Sequence, residues 1–200
     1  MDIHILLFDG FESLDVFGPA EVFGHLKNCR LFYSSRMGGT ITGAQGMRIL
    51  TTPLGELNPR AALLIPGGMG TRPLAQNEDF LRFLKAAAEQ AAFCLSVCTG
   101  SALLARTGLL DGRQATSNKR ALRWAVESGR RVNWQQRARW TIDGKFYTSS
   151  GVSAGIDMCL AFVAKQFGAS RSVHIASAME YLWDTDPLHD PFSPQPMGAE

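Results

Sequence analysis

The run Ser96-Val97-Cys98-Thr99-Gly100-Ser101 sets a cysteine between an apolar stretch and a small, glycine-containing one. That pattern predicts a strand ending at Cys98 and a helix opening after it, the shape of a nucleophile elbow. A sulfur placed at a helix start feels the positive end of the backbone dipole, which lowers its pKa and favours the nucleophilic thiolate. The backbone N–H of Thr99 then serves as one oxyanion donor. The pair Gly67-Gly68, in Ile65-Pro66-Gly67-Gly68-Met69-Gly70, lets a second N–H, that of Gly68, approach without steric obstruction. Read in isolation, Cys98 serves equally well as a small buried hydrophobe.

The remaining reactive side chains are less informative. Cys94 lies within a predicted strand, Cys159 within an apolar helix and Cys29 at the mouth of a strand, so all three are expected to be structural. Their spacings match no zinc or thioredoxin-type pattern, and His4, His25, His174 and His189 form no ligand motif; no metal is expected. The Gly67–Gly70 run lacks both the Lys-Ser/Thr end of a phosphate loop and the G-x-G-x-x-G spacing, so no nucleotide or other cofactor is expected. Asp15 is an ordinary helix-start acid by position. It gains a chemical reading only if its loop faces the Cys98 elbow.

The elements that would bring these residues together are legible as an alternation of strand and helix. Residues 3–8, 30–34, 62–65 and 92–97 are short apolar runs of the kind buried in a parallel sheet. Residues 13–26 read as a helix with Leu14, Phe17, Val22, Phe23 and Leu26 on its apolar face, and Pro19 is placed in or near its first turn. Residues 37–54 predict a β-hairpin, and Asp143-Gly144 marks a second one between 137–142 and 145–149. Helices are predicted over 78–91, 99–106, 120–128, 152–167 and 170–183, and an extended, proline-bearing tail over 184–200 lies on the surface. The fold class is therefore α/β, a mostly parallel sheet with helices on both faces, formed as one domain over 1–200. In such a sheet ligands bind beyond the carboxyl ends of the strands. The segments after residues 8, 65, 97 and 147 should converge there, with Phe11, Met69 and Asn118 as pocket walls.

The formal charge of +2 over 200 residues lacks the basic excess of a nucleic-acid-binding surface, so no nucleic-acid partner is expected. No run of about 18 apolar residues occurs, so no membrane span is expected. Met1-Asp2-Ile3-His4 has no basic segment of a secretion signal, and a cytoplasmic protein with reduced thiols is the expectation.

Four motifs then carry a resemblance: Leu14-Asp15-Val16-Phe17-Gly18-Pro19, Ile65-Pro66-Gly67-Gly68, Ser96-Val97-Cys98-Thr99-Gly100-Ser101 and Gly151-Val152-Ser153-Ala154-Gly155-Ile156-Asp157. In this order they resemble the ThiJ/PfpI superfamily, of the class I glutamine amidotransferase-like, flavodoxin-like fold. The likeness runs to about Tyr181 and is nearest the isonitrile hydratase-like branch. It implies a catalytic Cys98, Asp15 and Thr99, an oxyanion or substrate site at Gly67 and Gly68, a small-molecule substrate and a homodimer with the elbow cysteine near the subunit interface. Two departures qualify it. The protease branch has His directly after the cysteine, where this chain has Thr99, so peptidase activity is not expected. The hydratase branch has His in a Thr-Thr-His-Trp run, where this chain has Thr116-Ser117-Asn118-Lys119, so Asn118 replaces that His and the substrate is expected to differ. A glyoxalase-like activity loses the same His. The readings carried forward are a cysteine-dependent hydratase or hydrolase and, from another class, a small-molecule-binding or oxidant-sensing domain. A structural or chaperone-like dimer is a third.

Overall fold

The computed structural model describes residues 1–193. Along them run β1 (Asp2–Leu6), α1 (Ser13–Gly24), β2 (Arg30–Ser35), β3 (Gly39–Thr42), β4 (Arg48–Pro53), β5 (Ala62–Ile65), α2 (Thr71–Leu74), α3 (Glu78–Gln90), β6 (Phe93–Ser96) and α4 (Gly100–Arg106). There follow β7 (Gln114–Ala115), a 3₁₀ turn (Lys119–Ala121), α5 (Leu122–Ser128), β8 (Asn133–Trp134), β9 (Trp140–Asp143), β10 (Phe146–Ser149), α6 (Ala154–Phe167) and α7 (Ala169–Ala178). The main sheet has the order β3-β4-β2-β1-β5-β6-β10-β9. Its six inner strands are parallel, and β3 and β9 pair antiparallel at the two edges. Every residue of β5 is fully buried, which is why these short runs read as continuously apolar rather than alternating. On one face α1 packs against α6 and α6 against α7; on the other α4 packs against α2, α3 and α5. Both hairpins form where the sequence places them.

Several expectations need correction. Pro19 lies inside α1, not in its first turn. It removes the N–H that would bond the Asp15 carbonyl, a cost of about 3 kcal/mol in a helix interior. Val16, Val22 and Phe23 of that helix are fully buried, and at roughly 1.5–3 kcal/mol each they outweigh that cost. Leu14, assigned to the buried face, is 42% exposed. The short helix α2 and the parallel pair β7–β8 carry too few residues to show a period, and were not foreseen.

The last helix stops at Ala178 rather than at residue 183. Glu180 takes a left-handed backbone (φ 50°) and the Tyr181 N–H turns back to the Ala176 carbonyl at 2.9 Å, a Schellman-type ending without its usual glycine. The tail holds no regular element over 184–193, but it is not merely laid on the surface. The Pro187 carbonyl accepts the N–H of Arg139 at 2.8 Å, and Asp190 is buried. Residues 194–200 of the expected tail lie outside the described residues.

Candidate active site

The parallel topology delivers the elbow. β6 ends at Ser96, Cys98 turns the chain with φ +56°, and α4 begins at Gly100. A left-handed conformation at a non-glycine residue is uncommon and costs on the order of 1–3 kcal/mol, so the surroundings must hold it. The Cys98 N–H donates to the Ser150 carbonyl at 3.0 Å, and its own carbonyl accepts the hydroxyls of Ser101 and Ser117, each at 3.0 Å. Gly100 permits the close crossing of the two loops, since a Cβ there would lie 2.4 Å from the Ile65 carbonyl oxygen.

The sulfur itself differs from expectation. Cys98 is only 6% exposed, and its thiol is pushed up to about 12 rather than lowered. Burial is the main cause, and the neighbouring Asp15 carboxylate adds to it. The N–H and hydroxyl of Thr99 and the N–H of Val152 act the other way, donating toward the sulfur. A helix-start position therefore does not by itself make this thiol acidic, because desolvation of the anion is the larger effect.

Asp15, in the first turn of α1, is fully buried beside that thiol. Its Oδ2 accepts the Gly67 N–H at 2.8 Å, while Oδ1 is buried without an aligned partner. Burial raises its pKa to about 7, with Glu12 adding to the rise and the Gly67 N–H and Cys98 thiol opposing it. A buried carboxyl oxygen with nothing to bond is costly as a carboxylate and useful as a carboxylic acid. Near neutral pH the thiol therefore keeps its proton, and Asp15 is the group that gains or loses one.

Gly67 and Gly68 lie against the elbow as expected, yet their N–H groups are not open. Gly67 donates to Asp15, and Gly68 donates to the Thr99 hydroxyl at 3.1 Å. That hydroxyl also contacts the Thr71 hydroxyl at 3.1 Å, so Thr99 is anchored through α2, a contact the sequence did not reveal. The Gly68 N–H becomes an oxyanion donor only when the Thr99 hydroxyl turns to another partner.

Two walls of the expected pocket move. Phe11 is fully buried, its ring packed where a Cβ on Gly43 would sit, and Met69 is 68% exposed. Asn118 does line a cavity of about 390 Å³, together with Lys119, Arg120, Val152, Ser153 and Phe192. This cavity abuts the elbow through Val152, whose N–H reaches the Cys98 sulfur and whose own φ of +46° is strained for a β-branched residue. The Asn118 side-chain oxygen accepts the Ala121 N–H at 3.1 Å, and its Nδ2 crowds Gly151. Asn118 therefore caps a turn as well as facing the cavity. Lys119 is buried, with Nζ donating to Thr116 Oγ1 at 2.8 Å and to the Ala138 carbonyl; burial lowers it to about 8. A second hollow of about 330 Å³, between Phe8, Arg36 and Leu74, contains none of the expected site residues.

Known proteins resemble this chain over most of its length. The chain is 30% identical over 184 residues to the isonitrile hydratase of Pseudomonas putida, covering 90% of this chain and 78% of that protein. It is 33% identical over 187 residues to the HTH-type transcriptional regulator GbdR of Pseudomonas aeruginosa, covering 90% of this chain but only 50% of the regulator. The crystal structure of a ThiJ/PfpI family protein from Pseudomonas syringae superposes with a TM-score of 0.78 at 29% identity, covering 96% of this chain and 78% of that one. The model of the DJ-1/PfpI family matches residues 1–165, which include Asp15, Gly67, Gly68, Cys98, Thr99 and Asn118. With an elbow cysteine, a facing buried acid and this sheet order all in place, the chain belongs to the DJ-1/PfpI family.

Proposed function

We propose that this protein is a cysteine-dependent hydratase acting on a small electrophile of the isonitrile type. The observation that carries the reading is the buried pair of Cys98 and Asp15, one carboxyl oxygen of which has no partner. The likeness to a protein that hydrates isonitriles supports the substrate class.

In this reading the Cys98 sulfur forms a bond to the isonitrile carbon as Asp15 gives its proton to that carbon and takes up the proton the thiol releases, giving a thioimidate. Asp15 supplies the proton, since its raised pKa keeps it protonated up to about pH 7. Water then adds to the same carbon and the nitrogen takes a proton. The tetrahedral species expels the thiol, and an N-substituted formamide leaves. The Thr99 N–H, already directed at the sulfur, stabilises it as it departs, and the Thr99 hydroxyl positions the water. Incubation with cyclohexyl isocyanide or with isocyanoacetate should yield the corresponding formamide. Cys98→Ala should lower turnover by at least about a thousandfold, since covalent catalysis loses its nucleophile. No formamide from the wild type, or full activity in Cys98→Ala, overturns the reading.

A ligand-binding role is the second reading, supported by the likeness to half of a transcriptional regulator. Oxidant sensing is less well supported: a buried thiol raised to about 12 holds little of the thiolate that peroxide attacks.

A further inference from the structure

One charged side chain beside the elbow has no place in the mechanism above. Arg72, on α2, follows Thr71, which bonds the Thr99 hydroxyl. Its guanidinium lies over the Trp124 ring, 3.5 Å from the centroid, so α5 fixes its plane. Its Nη1 is buried with no hydrogen-bond acceptor. Among the described residues no carboxylate forms an ion pair with it.

A half-exposed guanidinium stacked on a ring, with one nitrogen buried and unpaired, is an unusual arrangement. Buried donors are nearly always satisfied, and leaving a charged one empty costs more than leaving a neutral one. Arg72 also lies within Coulombic reach of the Cys98 sulfur: burial presses against its charge, and the sulfur favours it. Arg120, an exposed cation, lines the cavity beside Val152.

We propose that Arg72 binds a carboxylate of the substrate, so that the site selects small electrophiles bearing an anionic group. This rests on the cysteine-centred reading above and narrows it to carboxylated substrates. The planar fork of a guanidinium held flat on an indole presents its edge to one ligand and matches a carboxylate in two parallel bonds. Trp124 restricts the fork before the ligand arrives, so little rotamer freedom is lost on binding.

The test requires no turnover. Cys98 is alkylated with iodoacetate, which is anionic, and with iodoacetamide, its neutral counterpart, and the rates are read at the Cys98 peptide by mass spectrometry. The iodoacetate rate is divided by the iodoacetamide rate, which cancels changes in the reactivity of the sulfur itself. The wild-type ratio should exceed that of glutathione by about tenfold, the value of one charge-assisted contact. Arg72→Met should bring the ratio down to that of glutathione, and Arg72→Lys should fall between, because it keeps the charge and loses the fork. Salt offers a check on the unaltered protein: the wild-type ratio should drop as ionic strength rises. A wild-type ratio equal to that of glutathione, or one unchanged in Arg72→Met, overturns the proposal. Hydration of neutral cyclohexyl isocyanide and of isocyanoacetate, an isonitrile that carries a carboxylate, is measured separately. No formamide from either removes the hydratase reading and leaves the alkylation ratio meaningful, while a flat ratio removes only the carboxylate.

Discussion

At the scale of single residues, two buried groups decide the behaviour of the site. Asp15 is fully buried and its pKa rises to about 7 in the folded protein, against about 3.8 in an unfolded chain. The folded state therefore holds the proton more tightly than the unfolded one between those values. Stability from this group is complete below about pH 3.8 and is lost as pH rises through 7. Chemical denaturation at several pH values should show the wild type losing stability between pH 4 and 7 relative to Asp15→Asn, whose amide does not titrate. Parallel curves for the two proteins would mean that Asp15 is not held neutral. The same site shows why a thiol at a helix start need not be acidic. Burial and a facing carboxyl outweigh the backbone donors of Thr99 and Val152 at Cys98.

At the scale of elements, three turns meet behind the sulfur. The turn after β5 crosses the elbow so closely that a Cβ on Gly67 would lie 2.6 Å from the Thr99 nitrogen and 2.8 Å from the Cys98 Cβ. Gly67→Ala should therefore force the elbow and the β5 turn apart, lowering stability by about 1–3 kcal/mol, and should slow alkylation of Cys98 or change its pH dependence. Unaltered melting and alkylation would show that the turn yields freely. The crossing was legible in part. Apolar runs ending at Ile65 and Val97 marked the strands, because inner parallel strands are buried on both faces and need no polar alternation. The convergence of Asp15, Gly67 and Cys98 followed from that topology. What stayed hidden had no local signal. Arg72 acquires its setting from Trp124, 52 positions away in a different helix. Val152 acquires its role from a strained backbone that no side-chain pattern encodes. Phe11 was taken for a pocket wall because its loop faces the site, but the β-hairpin of β3 and β4 closes over its ring.

At the scale of the whole molecule, a buried ion pair ties the far edge of the sheet and the tail to the elbow. Arg139 Nε donates to Asp157 Oδ2 at 2.8 Å, and both side chains are almost wholly buried. Asp157 lies in the first turn of α6, directly after the Gly151–Ser153 turn that supports Cys98. The Arg139 carbonyl accepts the Ser150 N–H at 2.8 Å, and the Ser150 carbonyl in turn accepts the Cys98 N–H at 3.0 Å. The tail joins the same cluster, with Asp184 3.5 Å and Asp190 3.9 Å from the guanidinium. Removing one partner of such a pair leaves a buried charge uncompensated, which costs about 3–5 kcal/mol, whereas replacing both with apolar side chains costs far less. Arg139→Met alone should thus destabilise the protein more than the double change Arg139→Met with Asp157→Leu. Urea unfolding of the two singles and the double closes the cycle, and a coupling near zero would show the pair to be dispensable. If the pair positions the elbow as well as stabilising it, alkylation of Cys98 in the folded single variants should be altered under native conditions. The double variant, with α6 seated again by apolar contacts, should recover part of the wild-type rate. Recovery of stability without recovery of the rate would separate the two roles. It would mean that the charge on Arg139 acts on the Ser150–Val152 turn in a way packing alone cannot replace.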